Sequence, residues 1–535
     1  MVGVGLAAPA RPRPDAVLAI LALVVLLGAR ILGPSDAWDQ TQPTTIAYTT
    51  DILVNGHWVL PSERSGRLAT KPPLYNWLAV PAVAMAGHSS EFAHKLPSVV
   101  ALVLCFGLVV RLGRRLVSDP LRDDPAVGWL AGLIFLSGYT IFKLGYLARP
   151  DMLLVLWMVL GWAAATRLCA DQVGPDPATS RRRWLALGFW LCTGLAALTK
   201  GPAVLPLLIY AAIAPRLLVG RWSAGRVLEW SWGPLVALLV FGSWVWGVWR
   251  IAPEHLVQEL WAHEIVGRIT GFGDSPREPI ALLTTAPNMV LYYLSRFEPW
   301  CVFSILGMYC LWRRSAATGQ RWWRQLGRQG AALHGTAIFI VVMLTAYTLV
   351  AGKRADYLAP AYPPSALLAA WWLLRGPWRT GIRFPWMAPV CAGVVLTGLT
   401  IHNSLELSAP YRGFGDAVAD FARETTRHVR ARPAPVVLLN ADYTHLGSLL
   451  GSAGPSGPPA LRLAATAGGP FWLVTPRVDE ARFERWRRER GIDIELAEVC
   501  HSRPVPPTRF WPGEMVLYRA VKGTVKGTDS FTGSR

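Results

Sequence analysis

The residues with chemistry to offer are charged side chains placed at the ends of apolar segments. Asp39 comes directly after an apolar run of membrane length, and Lys71 comes directly before Pro72-Pro73, where the next apolar run starts. A carboxylate at Asp39 can take a proton from an acceptor hydroxyl or amine as it attacks. An ammonium at Lys71 fits a phosphate as a point charge, and the two prolines fix the backbone beside it. Asp151 opens a segment in A-R-P-D-M, and Lys200 interrupts one in T-K-G-P. Arg268 lies in the irregular stretch 251–293 and suits a phosphate. Lys353 and Arg354 precede the segment that begins at Tyr357. Charge at membrane depth is costly, and it is usually either paired or functional.

Each of these residues also has a plainer reading. Asp39 can simply end a helix at an interface, and Lys71 can snorkel to the headgroups. Asp151 suits a helix N-terminus, where the dipole favours a carboxylate. Lys200 binds phosphate or pairs with an aspartate, and Lys353 with Arg354 meets an anionic ligand or lipid headgroups. His263 and Glu264 are adjacent, and a solvated amphipathic helix explains them better than a metal site does.

The elements that must hold these residues are apolar helices. Hydrophobic residues make up 52% of the 535 and charged residues 16%, and 26 are Trp. Trp enrichment suits membrane interfaces. A net charge of +19 raises nucleic acid as a partner, but the Lys and Arg fall in short runs between apolar segments, as topology signals do. A span takes about 20 apolar residues. Candidates fall at 15–32, 93–111, 127–145, 152–170, 184–199, 202–219, 231–250, 294–312, 333–351, 357–375 and 384–402. The run 74–86 is too short to span and is broken by Pro81, so it is expected along the interface. The arginine-rich loops set a cytoplasmic N-terminus, with the loop 36–91 outside. The chemistry-bearing charges then share the outer face.

The C-terminal stretch, about 405–535, differs in kind. Helical spacing over 412–428 and 478–490 alternates with strand-like runs at 436–440, 471–474, 492–499 and 515–518. This predicts a small outward-facing α/β domain. The expected division is therefore 1–404, an all-α polytopic domain of about eleven helices, and 405–535, with a disordered tail. Six of the seven cysteines lie in or beside apolar segments, and Cys500 alone falls in the C-terminal region. Without a C-x-x-C, zinc held through thiolates is not expected. Walker, Rossmann, G-x-S-x-G and H-E-x-x-H motifs are also missing. Any transfer reaction must therefore start from an activated substrate.

Taken together, these stretches resemble the bacterial GT-C membrane glycosyltransferases, nearest to the lipid A aminoarabinose transferase and the dolichyl-phosphate-mannose protein mannosyltransferase group. The matching pieces are Asp39, G-H-W-V at 56–59, K-P-P-L-Y-N-W at 71–77, E-F-A-H-K-L-P-S at 91–98, A-R-P-D-M at 148–152, T-K-G-P at 199–202, Gly267-Arg268, and Lys353-Arg354 through Pro363. The resemblance covers about residues 15–375. It implies inverting transfer of a sugar from a polyprenyl-phosphate donor to a lipid, glycan or protein acceptor at the outer face of the bacterial inner membrane. On that pattern Asp39 is the base, Lys71 and Arg268 hold the carrier phosphate, and Asp151 is a second carboxylate.

Three positions depart from the family: Gln40 replaces an acid, Thr70 replaces a Glu, and Gln42 replaces an arginine. These losses leave the cofactor unknown; a divalent metal is compatible with the chemistry but unsupported by the residues. They also keep open a pseudoenzyme that only binds glycan. The remaining alternative is a non-enzymatic transporter or lipid carrier, which would need polar residues near the bilayer centre.

Overall fold

The structure is a computed structural model. It describes residues 14–38, 41–117, 125–172, 179–220, 232–267, 287–317, 328–350, 352–375, 387–406, 412–439, 444–451, 458–467, 469–477, 485, 488–489, 492–504 and 513–525. In chain order the helices are α1 (Pro14–Ile31), α2 (Gln42–Asn55), α3 (Leu74–Ala86), α4 (Glu91–Leu112), α5 (Ala126–Leu136), α6 (Tyr139–Leu144), α7 (Asp151–Asp171), α8 (Thr179–Lys200), α9 (Leu205–Val219), α10 (Gly233–Ile251), α11 (Pro287–Arg296), α12 (Trp300–Ala317), α13 (Arg328–Thr348), α14 (Tyr362–Arg375) and α15 (Met387–Glu406). Then come α16 (Arg412–Ala431), β1 (Val436–Leu438), α17 (Thr444–Leu449), α18 (Pro458–Thr466), β2 (Phe471–Pro476), β3 (Ile492–His501) and β4 (Met515–Val525).

Among the described residues the apolar segments fold as helices, and not every one of them is of spanning length. Among the described residues, six helical stretches are long and apolar enough to cross a membrane: Pro14–Ile31, Glu91–Arg115, Asp151–Asp171, Ser180–Val219, Gly233–Ile251 and Gln329–Thr348. The expected segment 127–145 breaks at Ser137-Gly138 into α5 and α6. The segment 357–375 starts as a 3-10 turn, Ala355–Ala361, with Pro360 inside it. The two segments around T-K-G-P run together, with only the 3-10 turn Gly201–Val204 between α8 and α9.

By internal contacts the chain divides into two compact units. One holds Met1–Ile31, Ser98–Tyr146 and Pro150–Ile401; the other holds Leu32–Pro97, Leu147–Arg149 and His402–Arg535. This differs from the division expected at residue 404, because the first long loop groups with the C-terminal region.

In the first unit small residues let helices approach closely, the usual device where lipid surrounds the helices. A Cβ at Gly128 of α5 would stand 2.4 Å from the Val110 carbonyl of α4. Helices α7, α9 and α13 meet around buried rings. The Phe339 ring lies 5.7 Å from that of Trp162 and 5.3 Å from that of Tyr210, the latter edge-on. The Tyr210 hydroxyl is 2.7 Å from that of Thr166, so this polar pair is satisfied inside the helix cluster.

The second unit is built on a four-stranded sheet of order β1-β2-β4-β3. The β1 and β2 strands run parallel, while β4 is antiparallel to both β2 and β3. Both faces of β2 are covered, which explains its unbroken apolar run F-W-L-V. Leu438, Trp472, Val474 and Leu517 pack with Val418 and Phe421 of α16 on one side. Val437, Leu439, Phe471 and Leu473 pack with Leu461 and Ala465 of α18 on the other. Ala37, Ile46 and Ala148 join the first of these clusters. Each fully buried Val, Leu or Phe contributes roughly 1.5–3 kcal/mol, so this shared core explains why the first loop belongs to this unit. The expected helix 478–490 lies mostly outside the described residues.

Candidate functional site

In the second unit, the segment leading to Asp39 is pinned by charges. Lys95 is 1% exposed and lies between Asp36 Oδ1 at 2.5 Å and Glu91 Oε2 at 3.0 Å. Glu91 also accepts from the Ser35 hydroxyl, and the Ser35 N–H donates to Asp416 Oδ1 at 3.0 Å. Gln42 is fully buried. Its amide N–H donates to the Asp36 carbonyl at 2.7 Å, and its amide oxygen accepts from the Ala148 N–H at 2.8 Å. Gln42 is thus a bridge between two chain segments. A neutral amide serves there because one end must donate and the other must accept.

The K-P-P-L-Y-N-W motif is explained by its anchors. Pro72 and Pro73 are buried and lead into α3, leaving Lys71 half-buried at the entry. Asn76 donates to the Thr45 carbonyl at 2.8 Å and the Thr49 hydroxyl at 2.9 Å. The Tyr75 hydroxyl lies 3.0 Å from the His94 carbonyl and 3.1 Å from that of Leu147. The Trp77 indole donates to the Trp58 carbonyl at 2.8 Å. Three side chains therefore lock the helix, and the lysine is carried on a fixed base.

The G-H-W motif has a similar logic. Gly56 ends α2 with φ +72, a conformation that favours glycine. Beyond it, His57 Nδ1 is 3.0 Å from Asp51 Oδ2, which also accepts from the Ser62 N–H at 2.7 Å. Farther on, burial and then Arg430 hold the His88 imidazole below its ordinary range. Burial disfavours the charged ring, and the neighbouring cation adds to that.

In the first unit, Asp151 begins α7 and is 3% exposed. Its carboxylate pairs with the Lys200 ammonium at the end of α8. The chain leaves α8 at once: Lys200 has φ −150, and Gly201 takes φ +56. Glycine tolerates that turn, which explains T-K-G-P. The Lys200 ammonium also lies 5.2 Å from the centre of the Tyr357 ring. The Tyr357 ring lies tilted 5.3 Å from that of Tyr347, and the Tyr347 hydroxyl donates to the Ala203 carbonyl at 3.1 Å. Of the two sequence readings of Lys200, the aspartate pairing is the one observed.

Arg354 is exposed and Lys353 half-buried. The Arg354 carbonyl caps the turn that carries Tyr357, accepting its N–H at 3.2 Å. Asp39 and Arg268 lie outside the described residues.

The comparisons with known proteins point one way. The model of the dolichyl-phosphate-mannose-protein mannosyltransferase family matches residues 70–246. A crystal structure of ArnT from Cupriavidus metallidurans bound to undecaprenyl phosphate superposes with a TM-score of 0.62 at 15% identity, covering 94% of this chain and 97% of that one. At that identity the likeness is one of fold: this chain shares the fold of that structure. In sequence the chain is similar to the undecaprenyl phosphate-alpha-4-amino-4-deoxy-L-arabinose arabinosyl transferase of Edwardsiella ictaluri, at 25% identity over 67% of this chain and 59% of that protein. A Proteus mirabilis protein of that name, numbered 2, matches at 24% over 66% and 57%. The match spans less than two thirds of the length of these relatives.

The reading from sequence missed Asp36 and the roles of Lys95 and Gln42. A lysine inside E-F-A-H-K-L-P-S, four residues after a glutamate and next to an apolar run, was the available signal.

Proposed function

We propose that this chain is an integral membrane glycosyltransferase. It moves a sugar from a polyprenyl-phosphate donor to a lipid, glycan or protein acceptor. The observation that carries this reading is the family match over 70–246, which encloses K-P-P-L-Y, A-R-P-D-M and T-K-G-P together. The similarity to aminoarabinose transferases supports it.

In this reading Asp39 takes the proton of the acceptor hydroxyl or amine. The freed pair attacks the anomeric carbon from the face opposite the leaving group. The bond from that carbon to the phosphate oxygen breaks, and the polyprenyl phosphate leaves with the electron pair. The configuration at the sugar inverts. Lys71 and Arg268 stabilise the charge gathering on the phosphate, and Lys353 and Arg354 add positive potential. Asp151 is a second carboxylate, with Lys200 holding its charge. The chemistry takes place at the outer face of a bacterial inner membrane, where the C-terminal α/β region also lies.

Transfer from a labelled polyprenyl-phosphate sugar, assayed in membranes, tests the reading. Asp39→Asn lowers turnover by about 10²–10⁴ while donor binding persists. Lys71→Ala weakens donor affinity. Undiminished turnover in Asp39→Asn removes it as the base, and unchanged donor affinity in Lys71→Ala removes the phosphate role. Mass spectrometry of glycolipids and glycoproteins from a deletion strain identifies the sugar and acceptor.

A further inference from the structure

We propose that Glu424, His428 and Cys500 form a zinc(II) site in the second unit, independent of the transferase chemistry. Glu424 and His428 are four residues apart on α16, so they share one face of that helix. Cys500 comes from β3, packed against the same helix. One ligand atom from each residue lies within 4.8 Å of the other two. Zinc holds such atoms at about 2.0–2.3 Å, so small side-chain rotations bring all three onto one ion. The donors are a thiol, an imidazole and a carboxylate, a set that suits zinc and leaves a fourth position for water.

The surroundings fit a cation better than they fit an isolated thiol. Cys500 is buried, whereas Glu424 and His428 are half-buried, so the site has a dry floor and an open mouth. A divalent ion favours the thiolate and the carboxylate together. Zinc uptake therefore releases a proton. The nearby Glu498 is occupied by Arg477 at 2.8 Å, and the His428 ring is steadied 6.4 Å from that of Trp472. The ion would tie α16 to the outer strand of the sheet.

The test uses the full-length protein purified in detergent. It is equilibrated with zinc chloride and freed of loose metal by gel filtration, and the bound zinc is then counted by mass spectrometry. Wild type is expected to retain one zinc per chain more than His428→Gln and Cys500→Ser do. Zinc raises the melting temperature of wild type and leaves that of either variant unmoved. Cobalt(II) in its place gives a thiolate charge-transfer band that Cys500→Ser lacks. Glu424→Gln, at a half-buried surface position, is a further variant should Cys500→Ser fail to fold. Equal zinc in wild type and in the folded variants overturns the proposal, as does a wild type that retains none.

Discussion

Removing one member of the Asp151–Lys200 pair and then the other should produce unequal losses. Breaking a buried pair by deleting one partner costs about 3–5 kcal/mol, because the other charge is left uncompensated. The two survivors are not equally stranded. The Asp151 side chain is 3% exposed and that of Lys200 is 11% exposed. In Lys200→Met, the carboxylate loses the ammonium and keeps the start of α7, an interaction worth roughly 0.3–1 kcal/mol. In Asp151→Asn, the ammonium keeps the Tyr357 ring, worth about 0.5–2 kcal/mol, and an opening to solvent. Lys200→Met should therefore be the more destabilising, by about 1 kcal/mol. The double variant leaves no lone charge, so its loss should fall short of the sum of the singles by about 0.5–3 kcal/mol. Unfolding of the four proteins in detergent, followed by circular dichroism, closes the cycle. Additive losses, or a larger loss in Asp151→Asn, would refute this reasoning. The same double variant separates packing from chemistry: if Asp151 meets the donor, stability returns and transfer does not.

Lys95→Met removes the ammonium that lies between Asp36 and Glu91. It should destabilise the protein by about 3–5 kcal/mol and loosen the segment before Asp39, seen as faster amide exchange at Ser35. The pH response of His88 has a definite sign. Its folded value lies below its unfolded one, so its neutral form is fully stabilising above about 6.5 and that stability is lost as pH falls through the folded value. Melts between pH 8 and 5 should show a smaller acid loss in His88→Gln than in wild type.

Long apolar helices such as α7 and α13 are legible in sequence because lipid demands an unbroken run. The break between α5 and α6 is not, because Ser137 and Gly138 are residues that spanning helices also tolerate. The β2 strand is legible for a similar reason: both its faces are covered, so its first four residues, F-W-L-V, are all apolar. Lys200 was ambiguous because its partner lies 49 residues away. Glu91 could be read as a neighbour of Lys95 from the four-residue spacing, but Asp36 is separated by 59 residues and enters only through tertiary packing. Gln42 reads from sequence as a lost arginine, and its bridging role depends on Ala148, 106 residues on. Cys500 has no second cysteine in the C-terminal region, so sequence alone suggests no partner for it. Its neighbours come from a helix whose register against the sheet no local pattern encodes.

The outer strands of the sheet carry one more implication. Among the described residues, β1 at one side is three residues long, and at the other side β3 is interrupted by register shifts at Glu495/Leu496 and Glu498/Cys500. A straight, open border is a template for unwanted pairing between molecules. Here an incoming strand could match neither border for more than a short run. The protein can thus carry an inner strand with an apolar run such as F-W-L-V of β2 with little risk of polymerising through it.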